Sequence, residues 1–207
     1  GWHIDPFGHS AAQAYLFSLM GFNMFFIERI NYQEFEQKKL SRDLEVIWQP
    51  KGFPEEEYIL THINYFKYGG TRDIGYCMPS NMCMMGDRMK SLSKLASWIT
   101  GQADHFRTNQ ILFQIGNDFS FSYEGKELYK AIEELRNELN SHEKFQINAM
   151  ISTPELYSEA VYNEYKRNTS IKFNIKTQDF FPSADVPNWV KEPGYWTGYF
   201  TSKAPLK

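Results

Sequence analysis

The sequence has no excess of basic residues and no long apolar run. Its 22 lysines and arginines are outnumbered by 25 aspartates and glutamates, which gives a formal net charge of −3. Proteins that bind nucleic acid or an anionic membrane surface usually carry a basic patch, so this charge balance argues against both partners. No apolar stretch approaches the roughly 20 residues that a helix needs to cross a bilayer. We therefore expect no membrane span in this segment.

Cysteines are also few, and the sequence has no internal repeat and no low-complexity tract. Cys77 and Cys83 have a proline and an asparagine between them, so a local disulfide is feasible. Two reduced thiols in a loop are the alternative. We favour the disulfide because a sequon at Asn168, Asn-Thr-Ser, also indicates the secretory pathway. Asn168 is then a predicted glycosylation site.

What the sequence does have is a large share of aromatic residues. The 207 residues are 42% hydrophobic, 23% charged and 17% aromatic, which is typical of a folded domain or of part of a larger one. Aromatic rings fill cores, and they also stack on the C–H faces of sugars. The chain opens on GWHIDPFGHS without an initiator Met, and we interpret it as a segment of a longer protein.

Strand and helix patterns alternate at least four times along the sequence. This alternation predicts an α/β protein with a parallel sheet that is open or closed into a barrel. Ser10 is placed to cap the first helix, which Gly21 ends, and Ser152-Thr153-Pro154 caps the last. The predicted helices are 10–21, 31–43, 87–104, 125–142 and 154–166. The predicted strands are 22–27, 44–49, 58–63, 144–153 and 109–121, the last of which ends in a polar turn. A long loop covers 64–86.

Two acids are interpreted as lying at the carboxyl ends of strands. Asp5 follows GWHI, and Asp118 follows ILFQIGN. In open parallel sheets and in barrels, chemistry lies at the carboxyl ends of the strands. One acid there is usually a cap or a turn residue, whereas two, each followed by Phe or Pro-Phe, favour a pair of carboxylates. From these residues alone, we predict an α/β domain with a carboxylate pair and an aromatic carbohydrate site.

Five blocks of the sequence resemble the class II α-mannosidases, family 38 of the glycoside hydrolases. They are WHIDPFGHS, GFNMFFIERINYQ, FRTN before IGNDF, DFFPSAD and YWTGYFTSKAPLK. The likeness covers essentially the whole chain and is closer to the lysosomal branch than to the Golgi branch. It implies a retaining, Zn²⁺-dependent exo-α-mannosidase that removes terminal α-linked mannose from N-glycan oligosaccharides, in the lysosome or the secretory pathway. The implied fold is a (β/α)7 barrel, of which residues 1–207 are the central part, truncated at both ends.

The resemblance also implies roles for individual residues. Asp5 matches the nucleophile, which is a zinc ligand as well, and Asp118 matches the general acid/base. Relatives often have a second acid where this chain has Asn117. The residues matched to the sugar site are Phe7, Arg29, Tyr68 and Trp196, and Gly69 stands where relatives have Asp or Asn.

The implied zinc site is incomplete within this segment. Zinc takes three or four protein ligands, and the family's other ligands match positions outside residues 1–207. His3 shares a strand face with Asp5, but the resemblance gives it no such role, and His9 is interpreted as a structural residue. We therefore expect the isolated segment to be inactive and the parent protein to be an enzyme. The rest of the parent chain is expected to complete the barrel and the zinc site, and a homo-oligomer is possible.

Three alternatives stay open. The first is a Golgi-type or cytosolic-type mannosidase that acts on other linkages. The second is a catalytically inactive, mannose-binding relative, which the Gly69 and Asn117 departures allow although both carboxylates and Arg29 are present. The third is a metal-dependent, deacetylase-like α/β barrel, which needs pairs of metal ligands that this sequence lacks.

Overall fold

The computed structural model describes residues 1–65, 68, 88–186 and 192–200, and the chain divides into two compact units. The sheet unit comprises Gly1–Tyr65, His105–Arg107 and Thr169–Lys207. The helical unit comprises Phe66–Asp104 and Thr108–Asn168. The first contains every strand of the described residues, and the second contains the three longest helices.

The sheet unit is built on a five-stranded, mostly parallel sheet. Its strands, in chain order, are β1 (Trp2–His3), β2 (Met24–Ile27), β3 (Glu45–Trp48), β4 (Ile59–Ile63) and β5 (Asn174–Lys176). Their spatial order is β1-β2-β4-β3-β5, and the β3–β4 pair is antiparallel while the other three pairs are parallel. The predicted α/β class is confirmed. Over the described residues the sheet is consistent with part of a barrel, and no closed barrel is formed there.

Two helices and a small ribbon complete the sheet unit. Helix α1 (Ala11–Leu19) begins where Ser10 Oγ accepts the Ala12 N–H, and Gly21 follows its end at φ 79°. Both boundaries agree with the sequence prediction. Helix α2 (Tyr32–Ser41) is capped in the same way by the side chain of Asn31. The ribbon pairs β6 (Ala184–Asp185) with β7 (Gly194–Tyr195) in antiparallel fashion.

Aromatic side chains form much of the core of the sheet unit. All four residues of β2 are buried, as expected for a strand that is covered on both faces. Phe25 stacks on Trp48 with ring centroids 6.1 Å apart, and Trp48 meets Phe180 edge-on at 4.8 Å. One buried polar pair crosses the sheet, because Glu45 and His62 face each other on β3 and β4, with 3.3 Å between His62 Nδ1 and Glu45 Oε1.

The helical unit contains α3 (Arg88–Gln102), α4 (Ser120–Ser141) and α5 (Pro154–Arg167). The predicted apolar face of α4 is confirmed: Leu128, Leu135 and Leu139 are buried, and Ile132 packs against the same core. Its partners on α3 are Leu92, Leu95, Ala96 and Ile99. Thr153 caps α5 by accepting the Leu156 N–H, as predicted, with Pro154 in the first turn.

Two strand predictions in the helical unit are wrong. Residues 110–117 and 146–153 lie outside any strand. Their apolar side chains still alternate, because Ile111, Phe113 and Ile115, and likewise Ile147 and Ala149, pack on the α3–α4 core. Alternation predicts an extended backbone, but a strand also needs a hydrogen-bonded neighbour. In 146–153 the side-chain amide of Asn140 replaces a neighbouring strand. Its Oδ1 accepts the Ala149 N–H at 2.7 Å, and its Nδ2 donates to the Ala149 carbonyl at 2.8 Å.

Some predictions fall on residues that the structure does not describe. Cys77 and Cys83, with their predicted disulfide, are among them, and so is Gly69. The predicted loop over 64–86 is described at Asn64, Tyr65 and Tyr68. Within the described part of the chain, none of the helices is both long enough and apolar enough to cross a membrane.

Candidate active site

The carboxyl ends of β1 and β2 bring Asp5 and Arg29 together. These strands are parallel neighbours, so the residues that follow them emerge at the same edge of the sheet. Arg29 Nε and Nη2 both donate to Asp5 Oδ1, at 2.8 and 2.6 Å. The side chain of Asp5 is 59% exposed, whereas that of Arg29 is 17% exposed. Arg29 is thus mostly covered by the protein, and it orients the carboxylate of Asp5, which is accessible to solvent.

The segment that carries Asp5 is attached on both sides. Strand β1 precedes it, and after it His9 and Phe180 exchange two backbone hydrogen bonds of 2.8 and 2.9 Å. Gly8 lies between these attachments at φ 115°, a conformation that favours glycine. A Cβ at Gly8 would come within 2.7 Å of the Phe181 ring and 3.2 Å of the Phe180 carbonyl oxygen. Side chains larger than glycine would therefore push this segment away from its support.

Three aromatic rings lie beside the Asp5–Arg29 pair, and we call Phe7, Trp196 and Tyr199 the aromatic cluster. Phe7 stacks on Trp196 at 5.2 Å and 16°, and on Tyr199 at 4.4 Å and 11°. The guanidinium carbon of Arg29 lies 4.7 Å from the centroid of Phe7, within the range of a cation–π contact. The structure thus brings together four of the residues predicted from the sequence: Asp5, Phe7, Arg29 and Trp196.

Other polar residues near this edge of the sheet were missed by sequence reasoning. Glu28 and Asn64 follow β2 and β4 and are buried, and Asn64 Nδ2 donates to Glu28 Oε2 at 3.3 Å. Asp185 Oδ1 accepts the indole N–H of Trp196 at 2.8 Å. The parallel β2–β4 pairing could have identified Asn64 in advance. Asp185 and Tyr199 carry no sequence signal apart from their place in the DFFPSAD and YWTGYF blocks.

The two histidines nearest Asp5 pack among aromatic rings. His3 meets Phe17 and Phe25 edge-on, each at 5.2 Å, and burial lowers its pKa. His9 is 4% exposed, and its Nε2 has no hydrogen-bond partner among the described residues. Burial, assisted by the charge of His3 and opposed by a hydrogen bond to the Arg29 backbone, lowers the pKa of His9 to about 4.

The remaining predicted site residues belong to the helical unit. Tyr68 is half-buried, and Asp118 is exposed on the turn before α4. Asn117 Oδ1 accepts the Asp118 N–H at 2.8 Å, and Phe119 follows in the left-handed region at φ 58°. Asn117, which stands where relatives often have an acid, thus shapes the turn that carries Asp118.

The described residues do not form a zinc site by themselves. No group of three His, Cys, Asp or Glu side chains suited to a metal ion occurs in the part of the chain that the structure describes. Asp5 is a single candidate ligand, and His3, the tempting second one, lies against Phe17 and Phe25 instead.

The predicted glycosylation site is accessible. Asn168 ends α5, and Asn168, Thr169 and Ser170 are all exposed. Exposure is what a glycosyltransferase needs, so the sequon remains a prediction that the fold permits.

Comparison with known proteins identifies the family of the chain. Residues 1–192 match the family described as "Glycosyl hydrolases family 38 N-terminal domain". The lysosomal alpha-mannosidase of Dictyostelium discoideum is 32% identical over the whole chain, and that of Cavia porcellus is 31% identical over the whole chain. The alpha-mannosidase of Canavalia ensiformis is 32% identical over 98% of the chain. The chain spans 20%, 21% and 20% of these relatives, respectively. It belongs to glycosyl hydrolase family 38.

Proposed function

We propose that this chain contributes the nucleophile and the general acid/base of a retaining exo-α-mannosidase. The observation that carries the proposal is the Asp5–Arg29 pair, 2.6 Å apart at the carboxyl edge of the sheet and beside the aromatic cluster. The relatives named above are alpha-mannosidases that are about five times longer than this chain. We therefore assign the activity to a full-length protein that contains the chain.

Asp5 is the proposed nucleophile. Its carboxylate attacks the anomeric carbon of a terminal mannose, and the bond from that carbon to the leaving oxygen breaks. The guanidinium of Arg29 donates twice to Asp5 Oδ1. These bonds hold the carboxylate in a defined orientation before the substrate arrives. An exposed carboxylate with a partly buried partner is accessible to substrate yet still fixed in place.

Asp118 is the proposed general acid/base. It donates a proton to the leaving oxygen in the first step and accepts a proton from water in the second. That water attacks the anomeric carbon, breaks its bond to Asp5, and releases mannose with its configuration retained. Retention requires the two carboxyl groups to be about 5–5.5 Å apart in the assembled site.

The proposed substrates are mannose-containing N-glycan oligosaccharides. The aromatic cluster presents ring faces of the kind that stack on sugar C–H groups, and the relatives are named alpha-mannosidases. Since two of these relatives are named lysosomal, we propose the lysosome or the secretory pathway as the location. Zinc remains part of the proposal, with Asp5 as one ligand and the others from outside residues 1–207; elemental analysis of the purified full-length protein tests it.

A mechanism-based inactivator tests the proposal directly. A 5-fluoro-mannosyl fluoride, incubated with the full-length protein, should trap a covalent glycosyl-enzyme. Mass spectrometry of the digested protein should then locate the label on Asp5. A label on another carboxylate would overturn the assignment of Asp5. No label and no turnover, with mannoside still bound, would indicate an inactive mannose-binding relative.

A further inference from the structure

We propose that Asp185 is a positioning residue that fixes the orientation of the aromatic cluster through the indole N–H of Trp196. The inference rests on the proposed mannosidase function, because it concerns the surface on which the sugar ring would stack. Asp185 belongs to none of the roles derived above. Three features support this role: the short ribbon that carries Trp196, the bond to the indole, and the series of contacts that leads from Trp196 to Asp5.

Trp196 needs an anchor because the ribbon before it is short. Strands β6 and β7 have two residues each, and a two-stranded ribbon is marginally stable at best without further contacts. The Trp196 backbone N–H donates to the Ser183 carbonyl at 3.0 Å. This bond continues the ladder by one step and fixes the backbone. It leaves the two torsions of the indole side chain undetermined.

Asp185 supplies the missing constraint. Its Oδ1 accepts the indole N–H of Trp196 at 2.8 Å. A carboxylate acceptor makes a stronger hydrogen bond than a neutral one, and both side chains are partly buried, which limits competition from water. With the stack on Phe7 at one side and this bond at the other, the plane of the indole is fixed at two points.

The contacts continue from Trp196 to the proposed nucleophile. Phe7, which stacks on Trp196, lies under the guanidinium of Arg29, and Arg29 binds Asp5. When the indole tilts, the surface offered to the sugar changes, and the support of Phe7 beneath Arg29 changes with it. Removal of the Asp185 acceptor should therefore weaken substrate binding more than it slows the chemical step.

The test uses the full-length protein with 4-nitrophenyl α-mannoside as substrate. Asp185→Ala should raise KM about tenfold, the cost of one hydrogen bond to a charged acceptor, and change kcat by less than about threefold. Asp185→Asn should stay close to wild type, since its amide oxygen can accept the same N–H. Trp196→Phe keeps a ring but lacks the donor, so adding Asp185→Ala to it should have no further effect on KM. Tyr195→Phe, on exposed Tyr195 of the same ribbon, is the matched control.

A second measurement does not depend on activity. Hydroxyl-radical footprinting, followed by mass spectrometry, reports how exposed the indole of Trp196 is. Asp185→Ala should increase oxidation of Trp196, while Asp185→Asn and Tyr195→Phe should not. An unchanged footprint with unchanged KM, or an Asn variant as impaired as the Ala variant, would overturn the role of Asp185 and leave the mannosidase proposal intact. A changed footprint in a protein that neither binds nor hydrolyses mannoside would support the positioning role and reject the mannosidase proposal.

Discussion

The sheet unit and the helical unit hold their proposed catalytic acids in different ways. Asp5 is bonded to Arg29, which lies 24 residues further along the chain and follows the neighbouring strand β2. Asp118 lies on an exposed turn, where its backbone N–H bonds to the adjacent Asn117. The first acid is placed by strand register, and the second by local turn geometry. The position of Asp5 therefore depends on the parallel pairing of β1 and β2, whereas the position of Asp118 depends on one short turn.

The turn that carries Asp118 is conformationally demanding. Gly116 adopts φ 148° and Phe119 adopts φ 58° within four residues. An aromatic residue in the left-handed region costs free energy, on the order of 1–3 kcal/mol. The sheet unit has its own constrained position at Gly8, but there a glycine removes the cost. The segments that carry the two acids thus differ in backbone strain, because the residue with positive φ is a glycine near Asp5 and a phenylalanine next to Asp118.

The largest expected effect is on the sheet unit's carboxylate. Asp5→Ala in the full-length protein removes the proposed nucleophile, so kcat/KM for an aryl α-mannoside should fall by at least about 10⁴-fold. Glu36→Ala, which removes an exposed acid of the same unit, should leave kcat/KM within about twofold. Activity of Asp5→Ala above 1% of wild type would reject Asp5 as the nucleophile.

The next effect concerns the helical unit's carboxylate and depends on the leaving group. Asp118→Ala should lower kcat/KM by about 10²–10⁴-fold for natural oligosaccharides, whose leaving oxygen needs a proton. With a 2,4-dinitrophenyl mannoside as substrate, the leaving group is 2,4-dinitrophenolate, which departs without that proton. The first step should therefore be nearly unaffected. Glu133→Ala, at an exposed position on α4, is the control. Equal losses on both substrates would contradict the acid/base role.

The third prediction compares the pH response of the two units. His9 is protonated more readily when unfolded, because burial lowers its folded pKa to about 4 from its ordinary value of 6.5. The contribution of neutral His9 to the free energy of unfolding is fully present above pH 6.5. It falls by about 3 kcal/mol as the pH falls toward 4. Hydrogen exchange of β2 and β4, corrected for intrinsic rates, should accelerate over this range, and that of α3 and α4 should not.

His9→Gln provides the matched variant for the pH experiment. Glutamine does not titrate, so the acid sensitivity of β2 and β4 should become smaller even if the variant is less stable at neutral pH. A wild-type sheet unit whose exchange does not change between pH 6.5 and 4 would show that the His9 ring is hydrated or repartnered in solution.

The smallest effect is expected at Asn168. When the protein is expressed in a secretory eukaryotic cell, Asn168→Gln should remove the mass of one N-glycan. Because the residue is exposed at the end of α5, the free energy of unfolding should change by less than about 0.5 kcal/mol. A wild-type peptide that carries no glycan would remove the argument from the sequon.

The sequence predicted the elements whose signals are local. Ser10, Gly21 and Thr153 mark helix ends through caps that involve a few neighbouring residues. Residues 110–117 and 146–153 could not be assigned correctly, because alternation reveals an extended backbone and not its partner. Strand β5 (Asn174–Lys176) lies in a segment without clear periodicity and forms because β3 offers it an edge. Pairing between distant segments is invisible to a local pattern.

The candidate site divides along the same line. The resemblance identified Asp5, Arg29, Phe7 and Trp196, and the structure places them in one continuous set of contacts. The resemblance includes Asp185 and Tyr199 in its blocks but assigns them no role, because their contribution lies in geometry: a bond to an indole and a stack on Phe7. Supporting residues have no characteristic chemistry of their own, so they are recognised once their neighbours are in place.

The two attachments of the Asp5 segment limit the number of residues between them. Between His3 on β1 and the His9–Phe180 bridge, the backbone crosses one fixed gap. The segment cannot accommodate an inserted or deleted residue, because backbone hydrogen bonds fix both of its ends and Gly8 is closely packed against its neighbours. Natural variation and engineered loops should therefore keep this interval at constant length, while the surface turn near Gly52, with open space around it, tolerates insertion.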